Sequence, residues 1–420
     1  MLNDFGMKKE NIYIDLFSGC GGLSLGLGQA GWKGLFAVEK DPMAFSTFRH
    51  NLVDSKHSHF NWPTWLPKKE TTIQDLLVNH KENLLLLQGH VDLIAGGPPC
   101  QGFSLAGRRD IKDPRNKLSN EYVRMVDIIR PKYILLENVR GFNSSFKAIA
   151  GEEVRKPYSI IVKEKLERIG YKIFTDFVCS SSFGVPQSRT RFIMVGIRKD
   201  IINNDVLALN PFNTLLDLRN DFLISKQLPL HPISVSDAID DLLISNNNLV
   251  HHSGSASNGF KKIDYISPEK QSAYLKYIRK NSLNKKPNSL RLARHKPETI
   301  NKFKLIQEIC EPGVSLNDNM RLQVGTKKQA ITVLNPNKPS KTLTTLPDDL
   351  LHYSEPRILT VREMARIQSF PDNFDILGKY TTGGERRTKE CPRYTQVGNA
   401  VPPLLGEALG YMLKKIDSSY

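Results

Sequence analysis

A cysteine at position 100 stands behind two glycines and two prolines in GGPPCQGFS, residues 96–104. Each proline locks φ at about −65° and removes a backbone donor, and Gly96 and Gly97 open backbone shapes closed to other residues. The segment is a stiffened loop that aims Cys100, either at a reacting partner or into a turn around a small buried thiol. Glu137, in ENV (137–139), ends an apolar run, where a carboxylate is a solvated or capping group or, beside an aimed thiol, an acid set against a substrate. Arg189 and Arg191 alternate in QSRTR (187–191), hence share a face of an extended chain. Two guanidiniums on one face suit a phosphate or a catalytic carboxylate. A fourth grouping, DLFSGCGG (15–22), is a glycine loop, with the acidic Glu39 further on in VEKD. The loop lacks the third glycine of G-x-G-x-x-G, because Ser24 occupies that place, which weakens a pyrophosphate cradle. Glu39 could accept bonds from a ribose diol, so loop and acid together suggest an adenosine-bearing cofactor.

These residues need elements to hold them. NIYIDLF (11–17), LFAVE (35–39), VDLIAGG (91–97), YILLENV (133–139) and RFIMVGI (191–197) read as buried strands. GLSLGLGQAG between the first two has helical spacing and stops at Gly31. DPMAFSTFRHNL (41–52) opens with Asp41 as N-cap and Pro42 at the first helical position. A further helix is expected around 119–130. Strands alternating with helices predict an α/β fold with a parallel sheet covered by helices. In such sheets ligands bind outside the carboxyl ends of the strands, where the Gly loop, the Pro-Pro-Cys loop and Glu137 all fall. From 199 to 356 the apolar periodicity weakens. One helix is expected at SVSDAIDDLL (234–243), with short strands and loops around it. Thr360 and Glu363 form a capping-box pattern opening a helix in 360–370, and a last helix is expected from about Pro403 to Lys415.

The chain has 420 residues, 40% apolar and 24% charged, enough for two domains. There is no apolar run of membrane-spanning length and no secretory pattern near the start. Five scattered cysteines without zinc spacing argue against a disulfide framework or a structural metal. A cytoplasmic setting is therefore expected. The net charge of +16 predicts a polyanionic partner. Residues 251–296 hold eleven Lys and Arg against Asp264 and Glu269, interleaved with Tyr and His. That pattern fits a surface gripping a nucleic-acid backbone better than a solvated face.

FSGCGG, VEKD, GGPPCQGFS, ENV, GVPQSRTR, LTVREMARIQSFPDNF and QVGNAVPP follow one another in this order. Together they resemble the DNA cytosine-5 methyltransferase family, over about 1–198 and 357–410. The resemblance implies a Rossmann-like mixed sheet with helices on both faces in a catalytic domain, 1–198. It implies a smaller, irregular, strand-rich target-recognition domain at 199–375, and a C-terminal segment, 376–420, returning to the catalytic domain. It also implies S-adenosylmethionine as methyl donor, S-adenosylhomocysteine as product and no metal.

By the same resemblance Cys100 is the nucleophile that adds to C6 of cytosine, and Glu137 faces N3 and the exocyclic amine. Arg191 and Arg189 organise that end. Phe17 stacks on adenine; Gly19, Gly21, Gly22 and Pro98 approach the cofactor; Glu39 binds the ribose; Asp75 meets the adenine amine; Asn399 completes the pocket. The target base must leave the duplex. Arg108 and Arg109 would close over it, and Arg294, Arg321, Lys327, Lys328, Gln329, Lys341 and Thr342 are candidate DNA contacts. The expected protein is a monomer acting on double-stranded DNA as the modification enzyme of a restriction-modification system, a cognate endonuclease acting separately. The tRNA-directed branch with the same motifs is the nearest rival.

Overall fold

The apolar runs of the first half become neighbours in one sheet. β1 (Ile12–Leu16), β2 (Lys33–Val38), β3 (Leu93–Gly96), β4 (Tyr133–Asn138), β5 (Tyr171–Cys179) and β6 (Thr190–Arg198) lie in the order β2-β1-β3-β4-β6-β5. β1 runs parallel to β2 and β3, and β3 parallel to β4. β6 lies antiparallel between β4 and β5, so the sheet is mixed. The structure is a computed structural model; it describes residues 10–99, 118–144, 156–201, 209–253, 259–282, 285–384 and 389–418.

The connecting helices are α1 (Gly22–Gln29), α2 (Pro42–Phe48), α3 (Ile73–Asn79), α4 (Lys81–Leu85), α5 (Leu118–Ile129) and α6 (Tyr158–Arg168). Asp41 caps α2 as expected, its carboxylate accepting from the Met43 and Ala44 N–H groups with Pro42 in the first turn. One face of the sheet gives Ile14, Leu16, Ile94, Ile134, Leu136 and Phe192 to a core completed by Leu76, Met125 and Leu166 from helices. Burying each such side chain stabilises the fold by about 1.5–3 kcal/mol. The sequence reading passes over α6 and β5. β5 is an edge strand whose Thr175, Asp176 and Phe177 are exposed, so its alternation is broken and its period is weak.

Further along the chain come α7 (Pro211–Asp217), α8 (Arg219–Ser225), α9 (Val235–Ile239), α10 (Ala273–Arg279), α11 (Pro297–Ile309), α12 (Asp318–Gln323), α13 (Val361–Ile367), α14 (Arg393–Asn399) and α15 (Pro403–Asp417). Two small sheets pair β7 (Asn248–His251) with β8 (Lys261–Asp264), and β9 (Thr332–Val333) with β10 (Leu350–Leu351). Where the sequence reads short strands and loops, the described residues thus carry more helix than strand. Apart from α11, of 13 residues, and α15, of 15, these helices are about two turns or less, too brief for periodicity to show. Ser234 and Thr360 both form complete capping boxes. No helix among the described residues is long and apolar enough to cross a membrane.

The described residues divide into two compact units. One lies within Met1–Cys179, Thr190–Arg219 and Leu405–Tyr420, the other within Ser180–Arg189 and Asn220–Leu404. The division runs through the β5–β6 connection and the start of α15, whereas the sequence reading cuts at 198/199 and 375/376. Backbone bonds explain the first difference: Ser188 N donates to Ser340 O and Ser340 N to Pro186 O, tying 180–189 to the second unit. In the first unit, Trp32 Nε1 donates to Gly410 O, anchoring α15 beside α1 and β2.

Candidate active site

The antiparallel pairing of β4 with β6 sets Glu137 opposite Ile193. Arg191, two residues from Ile193, is then Glu137's diagonal neighbour on the same face. Arg191 Nε lies 2.8 Å from Glu137 Oε1, with side chains only 9% and 11% exposed. A buried carboxylate so held has a fixed direction, and the low local dielectric strengthens any further bond it makes. The next residue serves the neighbouring loop: Asn138 Nδ2 donates to Pro98 O at 3.0 Å, and both residues are buried. Gly97 passes so close that a Cβ there would lie 3.1 Å from Glu137 Oε2. A side chain at 97 would press on the acid. The Gly-Gly-Pro-Pro loop is thereby locked against the end of β4. Cys100 itself lies outside the described residues, as do Arg108 and Arg109.

A second constellation forms at the end of β1. Phe17 adopts φ 63°, a left-handed shape that costs a non-glycine residue about 1–2 kcal/mol. Such strain persists where the surroundings enforce it, typically at ligand clamps. Gly21 follows at φ 98°, and a Cβ there would strike Leu52 and Phe48. Gly22 begins α1. Glu39 ties the loop to the end of β2: its two carboxylate oxygens accept from Gly19 N at 2.9 Å and Asp41 N at 2.8 Å. Burial pushes the Glu39 carboxyl above its ordinary range against those bonds. Ser24 holds the buried Asp15, its hydroxyl donating at 2.6 Å. Burial, the main cause, raises Asp15 to about 7.

This loop fits a cofactor of the expected kind. The Ser18 hydroxyl is buried with no hydrogen-bond partner among the described residues, and a Cβ on Gly19 would meet nothing within 4 Å. An unsatisfied polar atom beside open space, an acid with lone pairs to spare and a strained aromatic suit a ligand with a diol and a charged amino-acid end. Among the described residues, no group of three or more His, Cys, Asp or Glu is placed to hold a metal.

Residues 12–415 match the family model for C-5 cytosine-specific DNA methylases. The chain belongs to that family. It is 32% identical to the Type II methyltransferase M.DdeI of Desulfomicrobium norvegicum, over 94% of this chain and 86% of that one. It is 31% identical to the Type II methyltransferase M1.HphI of Haemophilus parahaemolyticus, over 97% and 87%. The crystal structure of a DNA modification methyltransferase encoded within an E. coli prophage shares the fold with TM-score 0.62 at 23% identity, over 97% of this chain and 100% of that one. The protein is thus a DNA cytosine-5 methyltransferase of α/β class, and its family uses S-adenosylmethionine.

The other expected site residues of the methylase have the following surroundings. Asp75 is exposed at the third position of α3, its carboxylate accepting from the Thr72 hydroxyl that caps the same helix. Arg189 and Arg191 do not share a destination. Arg189 precedes β6, and its guanidinium donates to the carbonyls of Leu343 at 3.0 Å and Asn399 at 3.5 Å, within the second unit. Asn399 ends α14 and is itself exposed. Among the expected DNA contacts, Arg321 pairs with Asp318 on its own helix, and Lys328 reaches Asp348 and Asp349. Lys341 Nζ meets Ser315 Oγ and Thr342 Oγ1 donates to Ser188 O. Lys327, Gln329 and Arg294 are exposed.

Sequence reading missed a buried amide relay in the methylase. Gln187 Nε2 donates to Gln368 Oε1 at 2.7 Å, and Gln187 Oε1 accepts from Leu343 N. Gln368 Nε2 donates on to Val397 O and Ala400 O. Both glutamines are fully buried, and the relay joins GVPQSRTR, the Leu343 backbone, ARIQSF and QVGNAV. Its only signal was a glutamine inside two quoted motifs. Asn138 and Ser18 were likewise quoted inside motifs without a role.

Proposed function

We propose that this protein transfers a methyl group from S-adenosylmethionine to C5 of a cytosine flipped out of duplex DNA, at a specific sequence. S-adenosylmethionine supplies an electrophilic methyl group on a sulfonium. The Cys100 thiolate bonds to C6 of the ring, and C5, made electron-rich, takes the methyl. Loss of the C5 proton to a base then lets the thiolate leave, regenerating the ring double bond. Glu137 faces N3 and passes a proton to it as the sulfur adds, relieving charge, and Arg191 holds Glu137 in place. Phe17, Ser18, Gly19, Gly21, Gly22, Pro98 and Glu39 form the donor's side of the site.

The observation that carries this reading is the joint placement of Glu137 and Asn138. One residue presents an acid and the next grips the Pro98 carbonyl, so the acid and the start of the Pro-Pro loop are held by one strand end. The names of the relatives, Type II methyltransferases, support a role as the modification enzyme of a restriction-modification system, with its endonuclease a separate protein. The test is incubation with a duplex carrying 5-fluorocytosine and the methyl donor. Fluorine cannot leave as a proton does, so a covalent adduct through Cys100 is expected. Labelling of tRNA and not of duplex DNA would reject the substrate, and absence of any adduct would reject the mechanism.

A further inference from the structure

Arginines and aromatic rings alternate on one side of the second unit. The Arg291 guanidinium lies 4.1 Å from the ring centre of Phe260 and 4.1 Å from that of Tyr380, so the two rings flank it. Arg393 covers Tyr380 at 4.3 Å, and Arg294 lies over Phe260 at 5.7 Å. The order is Arg294, Phe260, Arg291, Tyr380, Arg393, with His252 meeting Tyr380 edge-on. Distant segments build this stack. Phe260 precedes β8, Arg291 bridges to Lys262 of that strand, and Arg393 starts α14, donating to Gly378 O and Ser289 Oγ.

Three guanidiniums in one stack repel one another. Ring faces carry negative quadrupole charge and offset part of that repulsion. The crowding remains visible at its edge. The His252 imidazole is held below its ordinary range first by burial and then by Arg291, Lys262, Arg393 and His251, all cationic or basic. A fold that gathers this much positive charge gains from an anion of matching extent. Within the stack, Arg291 donates to Tyr380 O, and Arg393 to Gly378 O and Ser289 Oγ, whereas Arg294 is exposed, and a planar guanidinium suits phosphate oxygens.

We infer that the Arg294–Arg291–Arg393 stack is an anchor for the phosphodiester backbone of the duplex, with exposed Arg294 the residue that reaches a phosphate. The inference rests on the reading of duplex DNA as substrate and adds where the backbone is held. A crowd of cations supplies charge without a base code, because sequence is read by single side chains aimed at base edges. Arg291 and Arg393 act as positioning residues, since the rings and carbonyls around them hold the stack.

The test measures equilibrium binding of full-length protein to two duplexes of unrelated sequence across a salt series. For Arg294→Ala the slope of log K against log salt is expected to fall by about 0.9, the value for one phosphate contact, and by the same amount on both duplexes. Arg294→Lys keeps the charge and is expected to keep the slope. Lys304→Ala, on α11, is expected to leave it unchanged. An unaltered slope in Arg294→Ala, a loss confined to one duplex, failure of lysine to substitute, or an equal fall in Lys304→Ala would each overturn the inference. Methyl transfer by the wild type is scored separately. Its absence would remove the substrate reading while leaving the slopes interpretable.

Discussion

Arg191 Nε sits 2.8 Å from Glu137 Oε1, and the pair bridges two strands that run in opposite directions. Removing one partner of such a buried pair leaves an uncompensated charge, which costs about 3–5 kcal/mol. Arg191→Met is therefore expected to destabilise the protein and stop turnover. The double variant Glu137→Gln/Arg191→Met is expected to recover much of the stability and none of the activity. Urea denaturation beside a methyl-transfer assay checks both; recovered activity in the double variant would remove the acid from the mechanism.

Glu137→Gln alone leaves no proton to give to the ring. Turnover is expected to fall by about two to four orders of magnitude, the usual contribution of a general acid. S-adenosylhomocysteine binding, measured by calorimetry, is expected to change little, since the proposed site assigns that end to Glu39 and the glycine loop. A near-normal rate would contradict the assignment.

Cys100→Ser replaces the attacking sulfur with a hydroxyl that is almost wholly protonated near neutrality. Methyl transfer is expected to vanish while affinity for duplex DNA persists. Radiolabel incorporation and gel-shift assays on one preparation decide it, and measurable turnover would reject Cys100 as nucleophile.

Asp15 gives a pH signature. Its carboxyl is raised by burial to about 7, above the ordinary value of about 3.9. A group raised in this way contributes stability that is fully present below its unfolded pKa and lost as pH rises through the folded one. Asp15→Asn removes that dependence. Relative to the variant, the wild type is expected to lose stability between about pH 4 and pH 7, with little further change above. Denaturant midpoints at acidic and alkaline pH test this, and a constant difference between the two proteins would refute it.

Gln368→Leu strands the Gln187 amide and the Val397 and Ala400 carbonyls that Gln368 now satisfies. Each buried polar group left without a partner costs about 1–3 kcal/mol. A loss of about 2 kcal/mol or more is expected from urea unfolding. An unchanged midpoint would show that the relay contributes nothing to stability.

Much of this protein was determined by local sequence alone. The runs that became β1 to β4 and β6, the Asp41 cap and the Thr360–Glu363 capping box depend on near neighbours, and they stand where their periods and caps place them. The Gly loop and the acid at Glu39 were also legible, because a strand end followed by glycines can only turn. Apart from α9 and α13, which the sequence reading expects, the short helices of the second unit and the edge strand β5 were not, since too few residues in each carry a repeating face.

Tertiary structure decided the pairings. Arg189 and Arg191 look equivalent in the chain, yet Arg191 meets Glu137 and Arg189 meets the Leu343 and Asn399 carbonyls. The difference arises because Arg191 lies within β6, whose register against β4 sets its neighbour, whereas Arg189 lies in the connection bonded to the second unit. Asn138 on Pro98, Gln187 on Gln368 and Phe260 between Arg291 and Arg294 have the same character. Each joins residues that only strand register or loop return brings together, and no window along the chain contains both partners.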